Sequence, residues 1–264
     1  MIQLEAIEVT FSPGTPLENP VMRGLSLTIP TGQFITVIGS NGAGKSTLLN
    51  VISGEVKPDR GQVIIEGQAV TRWSTHQRAQ LVARVFQNPL AGSCPHLTVE
   101  ENMALAYRRG KSRRLGLALS PKLRSEFRDQ LARLGLGLEK RLGDRMGLLS
   151  GGQRQAISLL MSTLAPNQIL LLDEHTAALD PKTAEYVLDL TRTIVAERQL
   201  TTLMVTHSMK QALSLGDRTI MLHGGKIIFD IAGPERSRLT VTDLLQQFEQ
   251  LQGADLADDS LLLG

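Results

Sequence analysis

Apolar positions along this 264-residue chain fall into two rhythms, short continuous runs and stripes at helical spacing. Phe34-Ile-Thr-Val-Ile38 is short and β-branched and reads as a buried strand. Ser46-Thr-Leu-Leu-Asn-Val-Ile52 is apolar at helical spacing and closed by Gly54, which reads as a helix with its stop signal. Residues 2–11 and 21–37 hold short strands separated by a Pro/Gly loop from Ser12 to Pro20, and Gly61-Gln-Val-Ile-Ile65 continues the strand-rich opening. From about Asn88 the pattern turns helical. Thr98-Val-Glu-Glu101 is a capping box opening a helix through Met103, Leu105 and Ala106, and a second helix runs from Pro121 to Leu134. Gln168-Ile-Leu-Leu-Leu172 is again a strand, followed by a helix over 181–197, a strand over 201–206 and a strand pair around Gly224-Gly225. Thr240-Val-Thr-Asp243 caps a last helix with Val241, Leu244, Leu245, Phe248 and Leu251 on one face. Residues 253–264 show no periodicity and read as a loose tail.

Chemistry sits where these elements meet. Between the 34–38 strand and the 46–52 helix lies Gly39-Ser40-Asn41-Gly42-Ala43-Gly44-Lys45-Ser46-Thr47. Strand, glycine-rich loop and helix is the context of a phosphate-binding (Walker A) loop. Its glycines let backbone N–H groups turn toward phosphate oxygens, and the helix start adds partial positive charge. Lys45 suits the β- and γ-phosphates, and the Ser46 hydroxyl suits Mg²⁺. The 168–172 strand delivers Asp173 and Glu174 at its carboxyl tip, where ligands of open α/β sheets gather. Asp173 fits the Mg²⁺ shell and Glu174 a proton acceptor for attacking water. About a hundred residues after the phosphate loop stands Leu149-Ser150-Gly151-Gly152-Gln153, a pentapeptide expected by chance roughly once per million positions at average usage. Ser150-x-x-Gln153 is also a capping box, and a capped helix start with two uncovering glycines is itself a phosphate site.

With these motifs in this order, residues 1 to about 251 resemble the ATP-binding subunit of an ABC (ATP-binding cassette) transporter. The resemblance implies an α/β fold: a RecA-like P-loop NTPase core with an N-terminal antiparallel β-subdomain and an inserted helical subdomain. The expected layout is one ATPase domain over 1–251, with 1–87 and 166–251 forming the core and β-subdomain and 88–165 the helical signature subdomain. Residues 252–264 are the C-terminal tail. The resemblance also implies weaker sites: Gln87 in Val85-Phe-Gln-Asn-Pro89 as the Q-loop, touching Mg²⁺ and water; Asp180 in Ala178-Leu-Asp180 as the D-loop; His207 as the switch histidine at the γ-phosphate. Phe11 holds the place of the aromatic that stacks on adenine, although its alternation with Val9 and Ile7 equally suits a core strand residue. In the family, the signature faces nucleotide held by the opposite subunit, so a head-to-tail homodimer on a transmembrane permease is implied, together with a solute-binding protein. ATP and Mg²⁺ are the implied cofactors. The stretch Glu174-His-Thr-Ala-Ala-Leu-Asp-Pro-Lys-Thr183 is similar to one branch of importer ATPases assigned to tryptophan, tyrosine or related small-solute uptake. Two departures stand out: His175 replaces a usual Pro, and Ala156 and Met161 replace two usual arginines.

Composition narrows the classes. A net charge of +2 with 20 % charged residues creates no field that demands nucleic acid. The lone Cys94 rules out an intramolecular disulfide, no apolar stretch reaches the ~18 residues of a membrane span, and no secretory signal is visible at the N-terminus. The expected location is the cytoplasmic face of a bacterial inner membrane, reached through the permease. The basic run Arg108, Arg109, Lys111, Arg113, Arg114 suits either a solvated loop or contact with permease loops or anionic headgroups. Two other classes compete: a soluble ABC ATPase of repair or translation, which needs a coiled-coil or zinc insertion or a second cassette, and an ATP-binding interaction module without turnover.

Overall fold

A computed structural model describes residues 1–110 and 119–252, the side chains of 248–252 excepted. The chain begins with β1 (Ile2–Phe11), β2 (Asn19–Ile29), β3 (Phe34–Gly39), α1 (Lys45–Ser53), β4 (Arg60–Ile65), β5 (Gln68–Ala69) and α2 (Thr75–Arg78). Next come β6 (Val82–Val85), α3 (Val99–Tyr107), α4 (Pro121–Ala132), two 3₁₀ turns, α5 (Gly151–Ser162), β7 (Ile169–Asp173) and α6 (Pro181–Arg198). It closes with β8 (Thr201–Val205), α7 (Met209–Ser214), β9 (Arg218–His223), β10 (Lys226–Ala232), α8 (Gly233–Arg238) and α9 (Val241–Gln252). Two compact units result: Met1–Arg78 with the chain from Gln199 onward, and Ala79–Arg198. The expected tail over 253–264 and the basic positions Lys111, Arg113 and Arg114 lie outside the described residues.

In the first unit, β2-β1-β4-β5 form an antiparallel sheet. Alternation along β1 buries Ile2 and Leu4, then slips by one residue to bury Ile7 and Val9. The slip is a bulge between Leu4 and Ile7, with Ala6 at φ 46°. Without it, the second half of the strand would turn its apolar side chains to solvent, because side chains alternate with a period of two. The same unit orders β10-β9-β3-β8, with β3 parallel to both β9 and β8. Paired on both edges, β3 is buried at every position, as a continuous apolar run should be. Thr36 is tolerated there because its hydroxyl bonds the Ala212 carbonyl and Thr219 Oγ1, both at 2.9 Å.

The second unit holds the parallel pair β6–β7 and a helical core built from Val99, Met103, Phe127, Leu131, Met146 and Ile157. The two positions where arginines were expected, Ala156 and Met161, are part of that core. Apolar side chains there fill space between helices, where arginines would carry charge. Thr98 forms its capping box with Glu101, and Ser120 caps α4.

Candidate functional site

In the first unit the loop after β3 is braced from two sides. The Gly225 N–H donates to the Ala43 carbonyl at 3.3 Å, and the Arg23 N–H donates to the Gly225 carbonyl at 3.3 Å. A methyl carbon on Gly39 would lie 2.2 Å from the Leu222 carbonyl oxygen, so this position admits only glycine. The loop then turns into α1, whose N-cap is Gly44 with no side-chain cap bond. No side-chain cap thus covers the start of α1, the end of a helix at which N–H groups and partial positive charge favour an anion. The Lys45 ammonium is buried and donates to the Gly39 and Ser40 carbonyls at 2.7 and 2.9 Å, while Ser46, Asn41 and Gly42 are exposed. Thr47, in the first turn of α1, is buried. His207 follows β8, and β8 runs parallel to β3 with Val205 opposite Val37. His207 therefore leaves the same sheet edge as the phosphate loop. Thr206 Oγ1 accepts from the Ser208 N–H at 3.1 Å and donates to Gln211 at 2.8 Å, which fixes the turn on which His207 sits. Phe11, opposite Asn19 at the end of β1, is 41 % exposed, so the alternative of a core strand residue fails.

In the second unit, β6 and β7 run parallel with Val85 opposite Leu172, so Phe86-Gln87 and Asp173-Glu174 leave at the same end. Gln87 is exposed. Glu174 has φ 44°, a left-handed backbone that non-glycine residues adopt at a cost of about 1–3 kcal/mol and that recurs at functional sites. Behind it, His175 is buried, with Nε2 3.0 Å from Thr191 Oγ1 of α6. Burial pushes its pKa down to about 4, so the ring is neutral near pH 7 and does not act as a charge beside Glu174. Asp173 is engaged by a residue the sequence reading passed over: Arg84 Nη2 donates to Asp173 Oδ2 at 2.6 Å.

The signature stands on α5 of the same unit. Ser150 Oγ accepts from the Gln153 N–H and Gln153 Oε1 accepts from the Ser150 N–H, each at 3.2 Å, which completes the capping box. Ser150 is exposed and Leu149 buried. Arg154 braces the approach by donating to the Leu149 carbonyl at 2.8 Å. Gly152 has a second cause besides uncovering N–H groups: a methyl carbon there would lie 2.1 Å from Thr183 Cγ2. Asp180 accepts from the Thr183 N–H at 3.1 Å at the start of α6. Bonds from the Thr183 hydroxyl and N–H hold its carboxyl below the ordinary aspartate value.

The second unit thus groups Gln87, Asp173 and Glu174 at one strand edge and Ser150 to Gln153 and Asp180 at the α5–α6 ends. The first unit groups Gly39 to Thr47 with His207. Two buried arginines, Arg78 and Arg236, and the partly buried Arg84 were missed. Arg78 donates to the Val51, Ile52, Val70 and Thr71 carbonyls, closing the C-terminus of α1. Arg236 does the same for carbonyls around the end of α7, and Arg84 holds Asp173. Arg109, counted within a basic run, instead is half-buried and donates to the Ser162 carbonyl at 2.8 Å. No sequence signal separates these from surface arginines. The donor chemistry of each unit fits the implied ligands: in the first, Lys45, the uncapped helix start and the Ser46 hydroxyl suit a phosphate and its counter-cation, and in the second, the oxygens of Gln87 and Asp173 suit a hard cation such as Mg²⁺. Among the described residues, no group of three or more His, Cys, Asp and Glu could form an all-protein cage. No helix of the described residues is long and apolar enough to cross a membrane.

The sequence profile of the ABC transporter family matches residues 22–177. A tyrosine transport ATP-binding protein of Clostridioides difficile (strain R20291) is 46 % identical over 94 % of this chain and 99 % of its own length. A thiamine import ATP-binding protein of Chelativorans sp. (strain BNC1) is 34 % identical over 87 % of this chain and 86 % of its own. Among solved structures, a dimeric ATP-binding cassette in a post-hydrolysis state with ADP and Pi superposes with a TM-score of 0.75. It is 28 % identical and covers 88 % of this chain and 98 % of that one.

Proposed function

This chain belongs to the ABC transporter family, and we propose that it is the ATP-hydrolysing subunit of a bacterial importer, acting as a head-to-tail homodimer beneath a transmembrane permease. The observation that carries this reading is the braced phosphate loop with its open helix start, on one chain with a Ser150-capped signature helix. Loop N–H groups and Lys45 bind the phosphates of ATP, and Phe11 stacks on the adenine. Glu174 accepts a proton as water attacks the γ-phosphorus; the bond to the ADP oxygen breaks, leaving ADP and phosphate. Gln87 positions the water, and His207 contacts the γ-phosphate. Ser46, Gln87 and Asp173 would hold Mg²⁺, which when bound neutralises charge on the phosphates. Ser150 to Gln153 act on the nucleotide of the partner copy, next to Asp180 of the D-loop. Closure over ATP and reopening after hydrolysis is the two-state motion that a permease reads.

We assign residues 1–251 to this ATPase domain, with 88–165 as its signature-bearing helical part. The Clostridioides difficile relative supports tyrosine or another small solute as cargo, delivered by a solute-binding protein to a permease docked at the cytoplasmic membrane face. The test is Glu174→Gln. It should keep ATP binding, lower phosphate release by roughly 10²–10⁴, the usual cost of losing a positioned general base, and accumulate as an ATP-bound dimer in light scattering. Phosphate release within a factor of two of the parent would remove Glu174 from the mechanism.

A further inference from the structure

Asp173 carries a partner that the phosphate-binding roles do not require. Arg84 Nη2 lies 2.6 Å from Asp173 Oδ2, and both side chains are nearly enclosed, at 10 % and 13 % exposure. The guanidinium also lies over the Phe86 ring, with the central carbon 4.7 Å from the ring centroid. Phe86 directly precedes Gln87, and its carbonyl accepts from Gln155 Nε2 of α5 at 3.3 Å. Arg84 is therefore held by both a carboxylate and an aromatic face inside the second unit. A charge pair so enclosed interacts more strongly than one in water, and a guanidinium cannot lose its proton to escape it.

We propose that Arg84 is the resident counter-ion of Asp173: it holds the carboxylate in place without metal and weakens its hold on Mg²⁺ in the nucleotide complex. This rests on the assignment of Asp173 to Mg²⁺. The physical reason is charge: a divalent cation reaching Asp173 meets a carboxylate whose negative charge is already half engaged, and approaches a fixed positive charge. Two effects compete when Arg84 is removed. Losing an orienting partner loosens a metal ligand, by 10–100-fold where second partners of metal ligands have been removed. Losing a neighbouring positive charge tightens it. Asp173 is also held by the strand it ends, β7, paired in register with β6. Orientation therefore survives in part without Arg84, while the positive charge held 2.6 Å from Asp173 is lost outright, and the charge effect wins. The consequence for turnover is a readier release of Mg²⁺ with ADP.

The experiment uses the full chain and a fluorescent ADP analogue titrated in EDTA and over a series of Mg²⁺ concentrations, with Mn²⁺ counted by electron paramagnetic resonance as a second readout. Arg84→Gln and Arg84→Met remove the charge; Arg84→Lys keeps it and gives up the flat stack on Phe86. The neutral variants should reach half-saturation at roughly tenfold less Mg²⁺, within the usual range of couplings between two bound groups, and release Mg·ADP more slowly. Arg84→Lys should stay near the parent. Unchanged or weaker metal dependence in the neutral variants overturns the proposal. Asp173→Asn separates the two layers. If it leaves Mg²⁺ dependence untouched, the assignment of Asp173 itself fails; if it alters that dependence while Arg84→Gln does not, only the role of Arg84 fails. Should neither neutral variant fold, the parent decides: adding Mg²⁺ to the ADP complex should shift the Arg84 side-chain nitrogen resonances, and unshifted resonances overturn the proposal.

Discussion

His175 shows how a single side chain ties local geometry to a measurable property of the whole chain. The Thr191 hydroxyl gives its proton to the Val187 carbonyl at 2.8 Å, so His175 Nε2 carries the hydrogen of the 3.0 Å contact between them. Burial holds the ring neutral, with a pKa of about 4 against 6.5 in an exposed histidine. The folded pKa is the lower of the two. Between pH 6.5 and 4 the unfolded chain therefore binds the extra proton, and stability falls as pH drops through that window. At pH 5 the expected loss is about 2 kcal/mol relative to pH 7. His175→Asn, which keeps a donor for Thr191 but does not titrate, should show a smaller fall in unfolding midpoint from pH 7 to pH 5 than the parent. Equal falls would mean that His175 gains solvent or a counter-charge on protonation. The sequence marked His175 as a departure but gave no sign of its burial. The same holds for Arg78, Arg84 and Arg236. Arginine is mostly a surface residue, and what draws Arg78 and Arg236 inside, and Arg84 partly so, is a set of backbone carbonyls or one carboxylate distant in sequence.

Among elements, those that carry their own local signals were legible. Helices α1, α3, α4 and α5 announce themselves through Gly54, the Thr98 and Ser150 capping boxes and Pro121, and β3, β7 and β8 through apolar runs. The short helices α2, α7 and α8, of four to six residues, hold too few turns for an apolar stripe to show. The bulge in β1 was also hidden, because it is the register with β2 and β4 that reveals where the alternation slips. Packing between α5 and α6 is a further case in which sequence states a residue but not its reason. Gly152 was expected to leave N–H groups uncovered; in the fold it also lets Thr183 of α6 approach. Helix propensity alone favours alanine over glycine by up to ~1 kcal/mol. The 2.1 Å approach to Thr183 Cγ2 reverses that sign. Gly152→Ala should therefore destabilise the chain by about 1–3 kcal/mol, the usual cost of overpacking, as read from the denaturant midpoint. Thr183→Ser, which deletes the obstructing methyl and keeps the backbone bond to Asp180, should recover most of the loss in the double variant. A Gly152→Ala chain as stable as the parent would show that Thr183 turns aside at no cost.

At the scale of the whole molecule the proposed assembly makes a demand that neither unit meets by itself: each nucleotide needs the phosphate loop of one copy and the signature of the other. Ser150 is exposed, and Leu148, two residues earlier, is 73 % exposed, a large apolar side chain beside a capped helix start. An exposed leucine alone means little, but here it borders a group of N–H donors that suits an anion. A solved ATP-binding cassette similar to this chain is a dimer with ADP and Pi bound. Lys45→Ala removes the cation facing the phosphates and should abolish binding of a fluorescent ATP analogue by that copy. Ser150→Arg removes the cap, at about 1 kcal/mol of helix stability, and fills the proposed contact with a long charged side chain, so it should hydrolyse poorly alone. Mixing the two inactive chains creates mixed dimers in which one site is whole, with its phosphate loop from the Ser150→Arg copy and its signature from the Lys45→Ala copy. A twofold dimer has two equivalent sites, so the mixed dimer should release phosphate at about half the parental rate per dimer. If the two sites fire only together, phosphate release stays low, but the intact site still binds ATP and light scattering still shows a mixed dimer. Full activity of Ser150→Arg alone, or parental hydrolysis by copies held apart as monomers, would exclude a shared site.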